Sequence, residues 1–163
     1  MHIGVIAGNP KPDSRTLAAA TMVARAISGG EPDVVVDVVT LGVGLIGFGS
    51  PEITEAVAAV QALDVAVVAS PTYKGAACGV LKCFLDQFPT GGLAGVTAVP
   101  MMLGAGPGHA LAPEFTLRPV LTELGASCPT RSLYLLDSMS DDPGAIAAWL
   151  EGALPLLMIA VDR

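Results

Sequence analysis

Positive charge is scarce in this chain. Of its 163 residues eight are Lys or Arg against fifteen Asp or Glu, a formal net charge of −7. A polyphosphate duplex or an anionic membrane would be repelled, so neither nucleic acid nor membrane is expected as a partner. Charge of either sign is low, at 14% of residues, where a soluble domain ordinarily carries about 25%, so the surface is unusually bare or covered by something else. Three cysteines, Cys78, Cys83 and Cys128, are an odd number with neither metal-ligand nor C-x-x-C spacing. They read as buried free thiols in a reducing compartment. The N-terminus lacks a basic segment followed by an apolar run, and Pro10 and Pro12 come early, so cytoplasmic residence is expected. Residues 87–113 form the longest uncharged stretch, yet they hold six Gly and four Pro and do not read as a spanning helix. No G-x-x-x-x-G-K-[ST] occurs and no G-x-S-x-G, which removes a P-loop and a hydrolase nucleophile elbow. Ser70-Pro71 stands where a receiver domain would need Asp.

Short Val/Ile-rich runs alternate with longer segments of helical spacing, and Gly, Pro, Ser or Asp mark each passage. This is the signature of an α/β domain with a parallel sheet, and the length suits one domain spanning residues 1–163. Strands are expected near 2–8, 34–41, 65–70, 95–103 and 131–136, and helices near 14–28, 51–63, 76–88, 109–125 and 143–158. The third strand is short and continuously apolar, as a strand buried on both faces should be. Ser50-Pro51 and Asp142-Pro143 each offer an N-cap side chain followed by Pro at the first helical position. In the third helix Val80, Leu81, Phe84, Leu85 and Phe88 line one face, and Lys82 and Asp86 are spaced for an ion pair. Pro119 should kink the fourth helix.

One motif matches only by its letters. Gly42-Val43-Gly44-Leu45-Ile46-Gly47 is a G-x-G-x-x-G, but Gly49, Ser50 and Pro51 intervene before the next helix begins. It reads as a connecting loop. In a doubly wound sheet ligands lie beyond the carboxyl ends of the strands, so the loops after strands one, three and four carry the site. The first, Gly8-Asn9-Pro10-Lys11-Pro12-Asp13-Ser14-Arg15-Thr16, supplies an amide, hydroxyls, two cations and the free N–H groups of a helix start, the donors an anionic phosphate needs. The second opens Ser70-Pro71-Thr72-Tyr73-Lys74-Gly75 and runs into Leu81-Lys82-Cys83-Phe84-Leu85-Asp86, and the third is Leu103-Gly104-Ala105-Gly106-Pro107-Gly108-His109.

Together with Arg118-Pro119-Val120-Leu121 these loops resemble the NADPH-dependent FMN reductase family of flavodoxin-like proteins, within it the reductases of alkanesulfonate monooxygenase systems. The likeness covers residues 1–137, with S-P-x-Y and L-K-x-F-L-D its most specific parts. It implies a flavodoxin-like three-layer sandwich with a five-stranded parallel sheet in the order 2-1-3-4-5. It also implies that Asn9, Lys11, Ser14, Arg15 and Thr16 hold the FMN phosphate. Pro71, Thr72, Tyr73 and Lys74 would lie along the isoalloxazine edge, with Gly104, Ala105 and Gly106 beneath the ring. Asn9 stands where the family usually has serine and Lys11 where it has arginine, which trades a bidentate fork for a point charge and should weaken the phosphate site. Phe115 replaces a side chain that is often polar in relatives and is expected to pack. His109 is either a donor to flavin or nucleotide or a loop cap.

The implied activity is hydride transfer from NADPH, or NADH, to FMN. The cofactors carry that chemistry, so no acid–base triad is needed. The reduced FMN would serve a monooxygenase partner. The alternatives are an FMN-bound quinone or azo-type reductase and a non-catalytic flavodoxin-like electron-transfer module. The charge deficit, with Ala, Gly, Cys and Val on the polar-side positions of the third and fourth helices, further predicts a homodimer or homotetramer through those helices.

Overall fold

Residues 1–162 are described by a computed structural model. Five parallel strands make one sheet: β1 (Ile3–Ala7), β2 (Val34–Asp37), β3 (Val65–Tyr73), β5 (Thr97–Gly104) and β6 (Leu133–Leu136), ordered β2-β1-β3-β5-β6. A two-residue strand, β4 (Ala76–Ala77), pairs antiparallel with the end of β3 and lies off this path. Among the five parallel strands the order is therefore 2-1-3-4-5, as the resemblance implies, and the winding reverses between β1 and β3.

Period-two alternation along the strands sorts the core into two layers. Ile6, Val68, Ala98 and Met102 face α2 (Pro51–Gln61), α3 (Gly79–Leu85) and α4 (Arg118–Glu123), where Ile53, Leu81, Phe84 and Leu121 meet them. Ile3, Val5, Val67, Val99 and Met101 face α1 (Arg15–Ser28) and α5 (Pro143–Val161), which contribute Ala19, Val23, Ile146 and Leu157. Burying side chains the size of Leu81 and Phe84 stabilises the fold by about 2–3 kcal/mol each. On α1 the inward positions are largely Ala, which brings the helix close to the strands and seats its N-terminus beside the end of β1.

Several boundaries differ from expectation. The second strand stops at Asp37, and Val38–Ile46 coils as tight 3₁₀ turns broken at Gly42, whose φ is +67°. The G-x-G-x-x-G therefore ends in a loop, as read. Ser50 precedes α2 but does not cap it through its side chain, because its hydroxyl turns to the Glu52 carboxylate at 2.6 Å. Asp142 does cap α5, accepting from Gly144 N at 2.8 Å. The third helix begins at Gly79 rather than 76, because Lys74 and Gly75 at φ 53° and 80° turn the chain back as a hairpin first. Both central residues at positive φ is the arrangement of a type I′ turn. Lys82 and Asp86 do pair, while Val80 is only half-buried. The fourth helix opens with a π turn, Pro113–Leu117, and runs on through right-handed helical backbone at Leu117 and Arg118 into α4, so Pro119 follows directly on a π bulge.

α5 is the longest apolar element, 19 residues with a mean hydropathy of 1.8, long and apolar enough by composition to cross a membrane. In this fold it lays Ile146, Ala153 and Leu157 against the sheet and leaves much of its length outside. Glu151 interrupts it, which is why a search for uncharged runs passes over it.

Arg118 ties the fourth helix to the chain entering β6: its guanidinium donates to the carbonyls of Cys128 and Thr130 and pairs with Glu114, which also accepts from Ser132 N at 3.2 Å. Burial pushes the Glu114 carboxyl up, but the Ser132 and Arg118 contacts outweigh it and hold the group below its ordinary 4.5. A depressed carboxylate contributes stability above its unfolded pKa and loses it as the pH falls through the folded one. Glu114→Gln is therefore expected to lower the melting temperature at pH 7 and to bring it closer to wild type below about pH 4; parallel melting curves across that range check it.

Candidate flavin site

Two of the three loops are bolted together at their bases. Gly8 closes β1 by donating its N–H to Ala69 O at 2.9 Å, and its carbonyl accepts from the Cys78 thiol at 2.9 Å. Cys78 N donates to Ser70 Oγ at 2.8 Å, and Ser70 in turn donates to Pro71 O at 2.8 Å. A Cβ placed on Gly8 would stand 2.2 Å from Leu81 Cβ and 2.6 Å from its Cα, so only glycine lets α3 lie this close to β1.

The first loop is organised before any ligand arrives. Asn9 accepts from Lys11 N at 3.0 Å through its carbonyl and donates through its amide to Thr16 Oγ1 at 2.9 Å. Ser14 caps α1 by accepting from Leu17 N at 3.2 Å. Ser14 and Thr16 are buried, and each hydroxyl, used so far only as an acceptor, keeps its proton to donate. Lys11 and Arg15 are exposed on the rim; Arg15 reaches the carbonyl of Asp137 at 3.4 Å. Behind the loop Asp37 accepts from Asp13 N at 3.0 Å, holding Asp13 at φ 50°, a left-handed conformation that few non-glycine residues adopt.

In the second loop Pro71 remains within the sheet, opposite Leu103 on β5, and Thr72 and Tyr73 pair with Ala77 and Ala76 in the hairpin. Tyr73 and Lys74 therefore project from a hairpin tip and are exposed. In the third loop Gly104 ends β5, Ala105 is exposed, and a Cβ on Gly106 would meet nothing within 4 Å. His109 closes a short turn, Pro107–His109, and is exposed. All thirteen expected residues thus lie on three loops that the parallel strand order places along the carboxyl edge of adjacent β1, β3 and β5.

A phosphate fits the first loop: two hydroxyls, two cations and the unbonded N–H groups of a 14-residue helix face it. The ring region fits a flat polar ligand, since the backbone beside Gly106 is open. A cavity of about 620 Å³ lies elsewhere, between β6 and α5, lined by Leu133, Leu135, Trp149 and Leu156 among others. Two of its polar groups are already engaged: Trp149 Nε1 donates to Arg131 O at 2.9 Å and Ser132 N donates to Glu114.

The sequence model of the NADPH-dependent FMN reductase family matches residues 1–140. This chain belongs to that family. Curated FMN reductases (NADPH) from Escherichia coli K12 and Pseudomonas putida KT2440 are 35% identical over 95 residues and 30% over 112, covering 58% and 69% of this chain. The matches cover 50% and 53% of those proteins, so the chain spans about half the length of the curated relatives it matches. The apo crystal structure of an NADH:FMN oxidoreductase superposes with a TM-score of 0.79 at 30% identity, over 98% of this chain and 86% of that one. Family membership leaves α5 outside the matched span, although it completes the sandwich.

Sequence reasoning missed Gly8, Asp37, Ser70 and Cys78 as members of the site's framework. Asp37 and Gly8 carried a signal, being the last residues of Val34-Val35-Val36-Asp37 and of the first strand on the carboxyl edge. Cys78 carried none, because its role depends on the hairpin that delivers it.

Proposed function

We propose that the chain is an NAD(P)H-dependent flavin reductase that binds FMN across the three loops and accepts hydride from a reduced nicotinamide nucleotide. The observation that carries this reading is the convergence of a pre-built phosphate loop with an open, glycine-lined ring platform on adjacent strands. FMN supplies the chemistry, taking hydride at N5 from the nicotinamide C4. The chain supplies position and electrostatics. Thr16, Ser14 and the start of α1 bind the phosphate, with Lys11 and Arg15 neutralising it. Asn9 keeps the Lys11 amide and the Thr16 hydroxyl in place, and the 71–74 hairpin and 104–106 loop orient the ring and exclude water from it. Lys74, at φ 53°, brings a further positive charge to the ring edge. A cytoplasmic setting suits the three free thiols.

Fluorescence titration tests this reading: FMN emission is expected to quench on binding, and anaerobic addition of NADPH should then bleach the flavin band. FMN emission that stays unquenched as the folded protein is added in excess would contradict it. Delivery of reduced FMN to a monooxygenase is the physiological extension. It predicts FMN that exchanges between turnovers, whereas parallel-line kinetics with a tightly held flavin would favour a resident cofactor and another acceptor.

The same reading includes self-association on the α4 side. Phe115 and Leu111 are 71% and 64% exposed, so Phe115 packs on little within its own chain, contrary to expectation. On the far side of α3, Ile46 and Phe48 are also exposed, while the outer face of α3 carries the Lys82–Asp86 pair. Exposed apolar groups of this size gathered on one face suit contact with a second copy. Light scattering is expected to give at least twice 16.4 kDa, and Phe115→Asp to shift the mass toward the monomer.

A further inference from the structure

We propose that Tyr134 is a positioning residue that fixes the spacing between the two ring-holding loops and thereby sets flavin affinity; this rests on the flavin reading above. Tyr134 lies on β6, opposite Met102 on β5, and so is one strand away from the 104–106 loop and two from the 71–74 hairpin. Its hydroxyl donates to the carbonyl of Gly106 at 2.6 Å. Among the described residues this is the sole side-chain hydrogen bond into residues 105–109, which otherwise hold only the Ala110 N to Pro107 O turn bond at 3.0 Å.

The contact also gives Gly104 a reason to be glycine. A Cβ there would stand 2.1 Å from Tyr134 Oη and 3.2 Å from Thr72 Oγ1. The phenol therefore passes directly against the end of β5 and reaches the junction of the 71–74 hairpin and the 104–106 loop. Gly104 makes room for the tyrosine, whereas Gly106, with open space beside it, makes room for a ligand. With the Gly106 carbonyl turned inward to Tyr134, the loop is held in one orientation toward the ring. Burial first, and then the charge of Asp137, outweigh the Thr72 hydroxyl beside it and push the phenol above its ordinary value of 10, so it remains a donor throughout the neutral range.

Tyr134→Phe keeps the packing and removes the bond. The expected result is weaker binding of FMN and riboflavin by the same factor, about 5- to 10-fold, the range of one neutral hydrogen bond. The visible band of bound flavin should broaden, and amide exchange at residues 105–109 should accelerate while α1 is unchanged and the melting temperature holds within about 2 °C. A purely structural tyrosine would lower the melting temperature without shifting the two flavins equally. Unchanged affinities, a loss confined to FMN, or unchanged exchange at 105–109 would overturn the proposal. Failure of the wild-type chain to bind either flavin would overturn the flavin reading and the affinity claim together, and exchange in Tyr134→Phe would then show whether the tether itself exists.

Discussion

Gly8→Ala is expected to destabilise the chain by about 3 kcal/mol, near the upper end of what overpacking usually costs, and to lower the melting temperature by roughly 6–12 °C. The backbone of Gly8 is not in a left-handed conformation, so the cost is steric. The added methyl would meet Leu81 at Cβ, Cα and N, at 2.2, 2.6 and 2.9 Å, and backbone atoms cannot swing aside as a side-chain end can. Relief requires α3 to lift from the sheet. Leu81 and Phe84 on its inner face are fully buried, and the Cys78 thiol and amide anchor its start to Gly8 and Ser70. Moving the helix therefore also loosens the joint between the phosphate loop and the ring-edge hairpin. Thermal and urea unfolding check the stability, and a midpoint within about 2 °C of wild type would show that α3 is free to shift and that this joint does not set the loop spacing.

Removing Lys11 and Arg15 together should lower FMN affinity on the order of 100-fold and leave riboflavin nearly untouched. Each exposed cation contributes about 1.4 kcal/mol toward a phosphate dianion, a factor of 10 apiece. They are the two positive side chains of the first loop in a chain of net charge −7, whose long-range field otherwise works against an anion. Wild-type affinity for FMN should accordingly fall with added salt while that for riboflavin does not. The contrast between the two flavins isolates the phosphate. Equal losses for both would mean that the cations act on the fold or the ring and that the phosphate lies elsewhere. Lys11→Arg is the complementary variant: a planar fork in place of a point charge should tighten FMN if the loop presents it to two phosphate oxygens.

Much of the architecture was legible because it rests on patterns with a definite period. Val65-Ala66-Val67-Val68-Ala69 can be little other than a buried central strand, and the alternation of such runs with helical segments dictates a parallel sheet. The donors and cations just before the first helix were legible too, and the proposed phosphate site rests on them. The hairpin was not. Ala76-Ala77-Cys78-Gly79-Val80 reads as a helix start, and the positive φ of Lys74 that folds the chain back is a property no lysine advertises. The fourth helix was half visible: Pro119 signals a disturbance, but the π turn just before it, Pro113–Leu117, has no mark of its own in the sequence. Ser50 looked like a cap and instead serves Glu52, because side-chain hydroxyls choose among nearby acceptors only once the turn is built. Tyr134 and Asp37 were the hardest to see, since each reaches the site from a neighbouring strand and acts through the backbone of another residue.

The scarcity of charge has a consistent place in this account. Three of the eight cations, Lys11, Arg15 and Lys74, sit on the loops that would meet the flavin. Elsewhere the bare surface gathers around Phe48, Leu111 and Phe115 and along α5, and what covers it bears on assembly rather than on chemistry.

The central claim is reduction of flavin by a nicotinamide nucleotide, and one assay reaches it most directly: purified chain, NADPH and FMN mixed in buffer, with the nicotinamide absorption band followed over time. Oxidation well above the protein-free control, saturating with FMN and diminished in the Lys11 and Arg15 double variant, is the predicted result. No oxidation above that control with either NADPH or NADH, in a chain shown to be folded, would contradict it.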